Sequence, residues 1–306
     1  MTITARIIAD SINDGGVRLT TMELRYPRFV HAEFMTHRVF SRNASSSRAI
    51  PIEKMIQAVL DDPAMPVHWG KNQKGMQAEQ ELNQEEQAAA VRAWLDARDT
   101  AVNQALALNK LGIHKQLVNR VIEPFGHITV VVTATEWNNF LHLRDHKDAQ
   151  PEIAELARKV KHELDTHIPV LLQYGQWHLP YVDVDVEYAV VERLLQVGRI
   201  TRDMPKPTEV YAVLLKLSTA RCARTSYLTH DKLTPVHDDD VALFTRLVGS
   251  SPLHASPTEH QATPDQKVWN STQNKELYCY PELHGNFTGW KQHRKFLTDE
   301  NVTTRG

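Results

Sequence analysis

Between residues 85 and 111, apolar side chains return about every 3.6 residues, at Ala88, Val91, Trp94, Leu95, Ala101, Ala105 and Leu108. That spacing gives a helix one apolar face, and Gly112 interrupts it. Upstream the period is different. Residues 17–24 (VRLTTMEL) alternate and are rich in β-formers, which reads as a strand ended by Pro27. Residues 28–35 could begin a helix, 113–122 form a second helix that stops at Pro124, and 136–143 and 151–167 look helical. Residues 128–133 (ITVVVT) fit either a buried strand or the apolar start of a helix. Residues 182–191 (VDVDVEYAVV) alternate like a strand, and 238–247 return to a helical pattern. Helical stretches mixed with alternating ones point to the α+β class.

The chain has 306 residues, enough for one large domain or two small ones. With 42% hydrophobic and 24% charged residues it has the composition of an ordinary soluble globular protein. No apolar run approaches the roughly 20 residues that span a bilayer, so no membrane partner is expected. The first residues lack the basic-then-apolar pattern of a secretory signal, and a cytoplasmic location is the expectation. The formal net charge of −2 argues against nucleic acid as a partner. Cys222 and Cys279 are too few and too far apart for a disulfide framework or a CxxC metal site. His162, Glu163 and His167 miss the HExxH zinc pattern by one residue, so no metal is expected. Residues 62–84 contain Pro63, Pro66, Gly70 and Gly75 and read as a long loop, a type of segment that often carries function. The proline-bearing stretch 199–210 is the best linker candidate.

Three constellations carry chemistry. Residues 36–50 (THRVFSRNASSSRAI) set His37, Arg38, Arg42 and Arg48 among Ser41, Asn43, Ser45, Ser46 and Ser47. Small hydroxyl residues and guanidinium forks make an oxyanion cradle, though an ordinary solvated loop explains the composition equally well. Residues 139–144 (NFLHLR), followed by 149–153 (AQPEI), place Asn139 and Arg144 near a helix end, which alone would be a cap and a surface arginine. The last pair is 220–227 (ARCARTSY) and 254–260 (HASPTEH). Within it Ser256 to Glu259 suits a helix N-terminus with proline in the first turn. That local reading leaves His254 and His260 unexplained.

Together the three resemble the flavin-dependent thymidylate synthases, the ThyX class. The family signature RHRxxSxNxxSxRY is met in register by His37, Arg38, Ser41, Asn43, Ser46 and Arg48. The NFLHLR and AQPEI segments are similar to the family's downstream run, and Arg120 falls where the family has an Ala-Arg pair. Residues 223–227 and 254–260 resemble its A-R-x-S-Y and H-x-[ST]-P-x-E-H motifs. In the family those two precede the signature; here they follow it, which looks like a circular permutation. On that reading residues 1–200 hold the nucleotide and flavin signature, and 201–306 complete the same intertwined domain. The chain departs from the signature at Thr36, Ala44 and Ala49, and has Glu33 where a glutamine is usual. An ionised glutamate only accepts hydrogen bonds, which would favour a donor on the base, such as the amino group of cytosine.

The resemblance implies an FAD enzyme that methylates C5 of a pyrimidine deoxynucleotide, dUMP to dTMP. NADPH would be the reductant, methylene-tetrahydrofolate the carbon donor, and a homotetramer the expected assembly. Glu33, Ser46, Arg48, Arg120 and Arg144 would bind the nucleotide, with Arg144 and Ser46 catalytic. His37, Arg38, Asn43, Asn139, Ser226, Ser256 and Glu259 would surround the flavin. Hydroxymethylation or another C5 change of dUMP or dCMP is the alternative chemistry. A non-catalytic flavin or nucleotide binder and a nucleic-acid module using the Arg/Ser cluster are the rivals from other classes.

Overall fold

Two long strands, β1 (Thr4–Asn13) and β2 (Arg18–Pro27), begin the chain as an antiparallel hairpin. Gly16 makes its turn at φ +75°, a conformation that costs glycine nothing. The structure is a computed structural model that describes residues 3–197, 206–225, 237–251, 253–298 and 300. After α1 (His31–Phe34) comes the short strand β3 (Ser41–Ala44), which pairs with β4 (His127–Ala134). β4 also pairs with β2. β5 (Val170–Leu172) runs parallel to β1, so the five-stranded sheet, in order β3-β4-β2-β1-β5, is mixed.

The ambiguous run 128–133 is therefore a strand. Val130, Val131 and Val132 are all fully buried, so both faces of β4 are covered and no alternation is left to read. Between β3 and β4 lie α2 (Ile52–Asp61), α3 (Gln84–Lys110) and α4 (Lys115–Ile122). They share a core of Met55, Ile56, Val59, Val102, Ala105, Val118 and Ile122. α3 starts on a capping box: Asn83 accepts from the Glu85 and Glu86 N–H groups while Glu86 returns a carboxylate to the Asn83 N–H. The loop before it is held down by Trp94, whose indole donates to Ala64 O at 3.0 Å, and by Glu152, which accepts the Val67 N–H at 2.8 Å. Next, α5 (Asn138–Arg144) and α6 (Pro151–Thr166) cover the sheet, with Ile153, Leu156 and Val160 against Met22, Leu24 and Val132.

The alternating run 182–191 is not a strand. It forms most of α7 (Val184–Val197), which packs against α8 (Pro207–Arg224). Val184, Tyr188, Val191 and Leu195 recur at helical spacing and face the α8 core of Val210, Leu214 and Leu217. Asp183 accepts the Val186 N–H, so the aspartate that mimicked a strand's polar face is a helix cap. α9 (His237–Val248) lies on α8. The last part of the chain forms two ribbons. One pairs β6 (Ala262–Pro264) with β9 (Trp290–Gln292), and the other pairs β7 (Lys267–Asn270) with β8 (Lys275–Tyr278). No described helix is long and apolar enough to cross a membrane.

Candidate functional site

Residues 35–40 turn sharply because both ends of the turn are anchored by aromatic rings. Phe34 and Phe40 are buried 5.8 Å apart, and Phe40 lies 4.7 Å from Trp137. Arg42 closes the turn from β3, donating to Met35 O and His37 O at 3.1 Å each. Met35, Thr36, Arg38 and Val39 are left facing outward, and His37 is folded in against Phe140 at 5.0 Å.

Arg144, the last residue of α5, reaches across to this turn. It forms an ion pair with Glu33, donates Nε–H to His37 Nε2 at 2.9 Å, and donates to Thr36 Oγ1 at 3.3 Å. Burial, with Arg144 and Arg42 alongside, pushes the His37 imidazole down to about 4. His37 is thus neutral at physiological pH, with Nε2 as acceptor and the proton on Nδ1. The result is a guanidinium fixed on three sides with part of its surface open. Such a preorganised cation stabilises negative charge without rearranging.

The second cluster lies at the other end of β3, roughly 10 Å away for a strand of this length. Ser46 O accepts the Ala49 N–H at 2.9 Å, making a tight turn from which Arg48 projects. Arg120 is engaged by Glu123 at 3.1 Å. The same carboxylate accepts from Ser47 and pairs with Arg28 at 3.2 Å. Arg38 and Arg48, by contrast, are exposed and have no carboxylate partner among the described residues.

The late motifs fold against the early one. Asn43 is buried and donates to Cys222 O at 2.6 Å. Ser256 to Glu259 form a single 3-10 turn, shorter than the helix start its sequence suggests, and this turn packs on β3. Ser256 is exposed; Glu259 pairs with Arg294, and burial raises its carboxyl although Arg294 pulls it back. Asn139 is exposed on α5. Ser226, expected at the flavin, lies outside the described residues.

His260 is explained by the core. A buried chain of hydrogen bonds runs from Ser11 through His178, Thr21 and Thr133 to His260 Nδ1, each contact 2.7–2.8 Å. Burial holds both rings near a pKa of 3, so the chain is neutral. His254 is exposed.

Sequence reasoning missed Thr36 as a partner of Arg144, and it missed the tail. Arg294 supplies the cation for Glu259, and Gln292 Nε2 donates to Ser41 Oγ at 3.1 Å and to Glu259 O at 3.0 Å. The basic run 293–295 (HRK) was the one available hint.

Two cavities, one beside Ile3, Arg158 and His162 and the other beside Trp177 and Lys291, contain none of the expected site residues. Ser41 and Asn43 are buried along β3, and the exposed cations Arg38 and Arg48 flank its two ends.

A search of curated proteins finds no match. Among solved structures, the UMP/dUMP methylase PolB from Streptomyces cacaoi bound with 5-Br dUMP is 15% identical. The likeness covers 56% of this chain and 91% of that one, at a TM-score of 0.45. Thymidylate synthase X from Helicobacter pylori with FAD and dUMP is 14% identical, covering 48% and 67%, at a TM-score of 0.35. A family model, described as thymidylate synthase complementing protein, matches residues 19–170. That stretch holds Glu33, the 36–48 turn and strand, Arg120 and Arg144, and it ends before the late motifs. Through residues 19–170 the chain belongs to the thymidylate synthase complementing protein family, the ThyX class.

Proposed function

We propose that the face along β3 holds a pyrimidine deoxynucleotide monophosphate against FAD and that the enzyme alters C5 of its base. The reading we favour is methylation of dUMP to dTMP in the cytoplasm, with methylene-tetrahydrofolate as carbon donor and NADPH as reductant. The observation that carries it is Arg144, fixed by Glu33, His37 and Thr36 yet partly open, within the family-matching stretch. Arg144 would face the base and stabilise charge that builds on the ring. Arg48, with Ser46 and Arg120, would receive the 5′-phosphate at the other end of β3. For Arg120 this requires sharing or release of Glu123.

The state of Cys222 favours a flavin route over activation of the base by its thiolate. Cys222 is fully buried, and burial drives its thiol up well beyond the physiological range. FAD supplies the electron chemistry when bound. The donor set fits it in part: Arg38 is an exposed cation with no carboxylate partner among the described residues, suited to a pyrophosphate, and Asn139 and Ser256 offer exposed polar groups. A homotetramer, in which a second copy of the chain completes the flavin site, belongs to the same reading. The contacts of Asn43 with Cys222 O and of Gln292 with Ser41 support the reading of the chain as one intertwined, circularly permuted domain.

The Glu33 carboxylate is already shared with Arg144, so the departure at position 33 adds a counter-charge to that arginine. Whether the base is uracil or cytosine is decided by assay. Mass spectrometry of products from dUMP and dCMP, supplied with FAD, NADPH and methylene-tetrahydrofolate, should show a gain of one methyl group on dUMP. Protein that binds no flavin and converts neither nucleotide would overturn the proposal; a hydroxymethyl product or turnover of dCMP alone would replace the methylation.

A further inference from the structure

On the side of the β6/β9 ribbon away from β3 lies a cavity of about 690 Å³, within the range of small-molecule sites. Five aromatic side chains line it, Tyr174, Trp177, Tyr188, Tyr211 and Phe296. Trp177 and Phe296 lie 5.8 Å apart at 60°, and Tyr188 meets Tyr211 edge-on at 5.6 Å. Among the described residues no aspartate or glutamate lines it, and Lys291 is the one cation that does.

Lys291 is unusual for a buried charge. Two arginine or lysine side chains are buried among the described residues, Arg221 and Lys291. Arg221 is met by two carboxylates, Glu187 and Asp240. Lys291 has no carboxylate partner among the described residues. Its ammonium sits 4.6 Å from the Tyr174 ring centroid and 5.1 Å from that of Tyr280. Aromatic faces offset part of the cost of removing a cation from water; an anion would offset more.

We propose that this cavity binds a planar aromatic anion, a ring bearing a carboxylate or a phosphate. The ring would stack in the aromatic wall, where offset and edge-on contacts are favourable. The anionic group would meet Lys291 Nζ. Neighbouring side chains on a strand point to opposite faces. Lys291 therefore serves this cavity, whereas Gln292 holds Ser41 and the Glu259 carbonyl on the β3 side. The site is distinct from the proposed nucleotide face, and the inference does not depend on that face's chemistry.

The test is calorimetric titration of the full-length protein with 1-naphthoate and with 1-naphthyl phosphate, which separate the two anion types. The neutral 1-naphthamide and inorganic phosphate serve as controls. Saturable binding of one aromatic anion is expected, at least tenfold tighter than either control. Lys291→Met and Tyr211→Leu should each weaken it tenfold or more, and Lys291→Arg should largely preserve it. Circular dichroism and thermal melting confirm that each variant folds, and Lys291→Arg keeps the test valid should Lys291→Met fail to do so. Absence of binding by both anions, equal binding by a control, or undiminished binding by folded Lys291→Met and Tyr211→Leu would overturn the proposal.

Discussion

Arg144 and Arg221 both stand near the end of a helix and both meet carboxylates, yet their surroundings differ. Arg221, on α8, is 6% exposed and is held by Glu187 at 2.6 Å, Asp240 at 2.9 Å and Tyr181 O at 2.7 Å. Arg144 has one carboxylate among the described residues, Glu33, and keeps part of its side chain in solvent. Its remaining partners are a neutral histidine and a hydroxyl. A buried guanidinium with four of its five N–H groups engaged serves the scaffold. A partly enclosed one is held in position and can still take another acceptor.

The largest effect should come from the scaffold arginine. Arg221→Met leaves Glu187 and Asp240 without their main shared cation, and removing one member of a buried ionic cluster costs about 3–5 kcal/mol. Equilibrium denaturation should show it; a loss below about 1 kcal/mol would erase the contrast. Arg144→Ala should do the reverse. Turnover should fall about 10²–10³-fold, as when a preorganised donor is lost, while stability changes by no more than about 1 kcal/mol. Steady-state kinetics and a melting curve on one preparation separate the two. A large drop in melting temperature with turnover intact would make Arg144 structural.

Acid extends the contrast to the histidines. His178 and His260 have pKa values near 3 in the folded chain against 6.5 when unfolded. Between these values the unfolded chain binds protons that the folded chain refuses. Stability is therefore full above about pH 6.5 and declines as pH falls toward 3. At pH 5, 1.5 units below the unfolded value, linkage predicts a loss of about 2 kcal/mol for each. Denaturation midpoints at pH 7.5 and pH 5 measure it, and equal midpoints would show that these rings accept protons in the fold. The smallest effect belongs to the exposed Arg48, which has no carboxylate partner among the described residues. Arg48→Ala should weaken dUMP binding about tenfold, about 1.4 kcal/mol, with the melting temperature unchanged. Unaltered affinity would move the phosphate elsewhere.

Much of the scaffold was legible because periodicity reports burial directly. β2, α3, α4 and α6 fall close to where their patterns put them. α7 was misread because Val182, Val184 and Val186 alternate with Asp183 and Asp185 over one short stretch. The deciding contacts, Val191 and Leu195 against α8, lie further along and come from tertiary packing. At the site, residue types and their register with a family were readable, but pairings were not. Glu33 and Arg144 are 111 residues apart, and Glu259 meets Arg294 from a tail with no recognisable motif. Sequence separation carries no sign of which carboxylate a given guanidinium will find.

β3 lies at the border of the main sheet, with β4 on one side only. The 3-10 turn 256–259, Cys222 O and Gln292 come from far later in the chain, and they cover it. A ribosome adding 5–20 residues per second needs on the order of ten seconds or more to make that intervening length. Throughout that interval the nascent strand presents an uncapped edge, the kind that recruits other chains. Synthesis of this protein thus has a vulnerable window whose length is set by the position of its closing segment, and slowing translation within residues 170–290 should lower the yield of native protein.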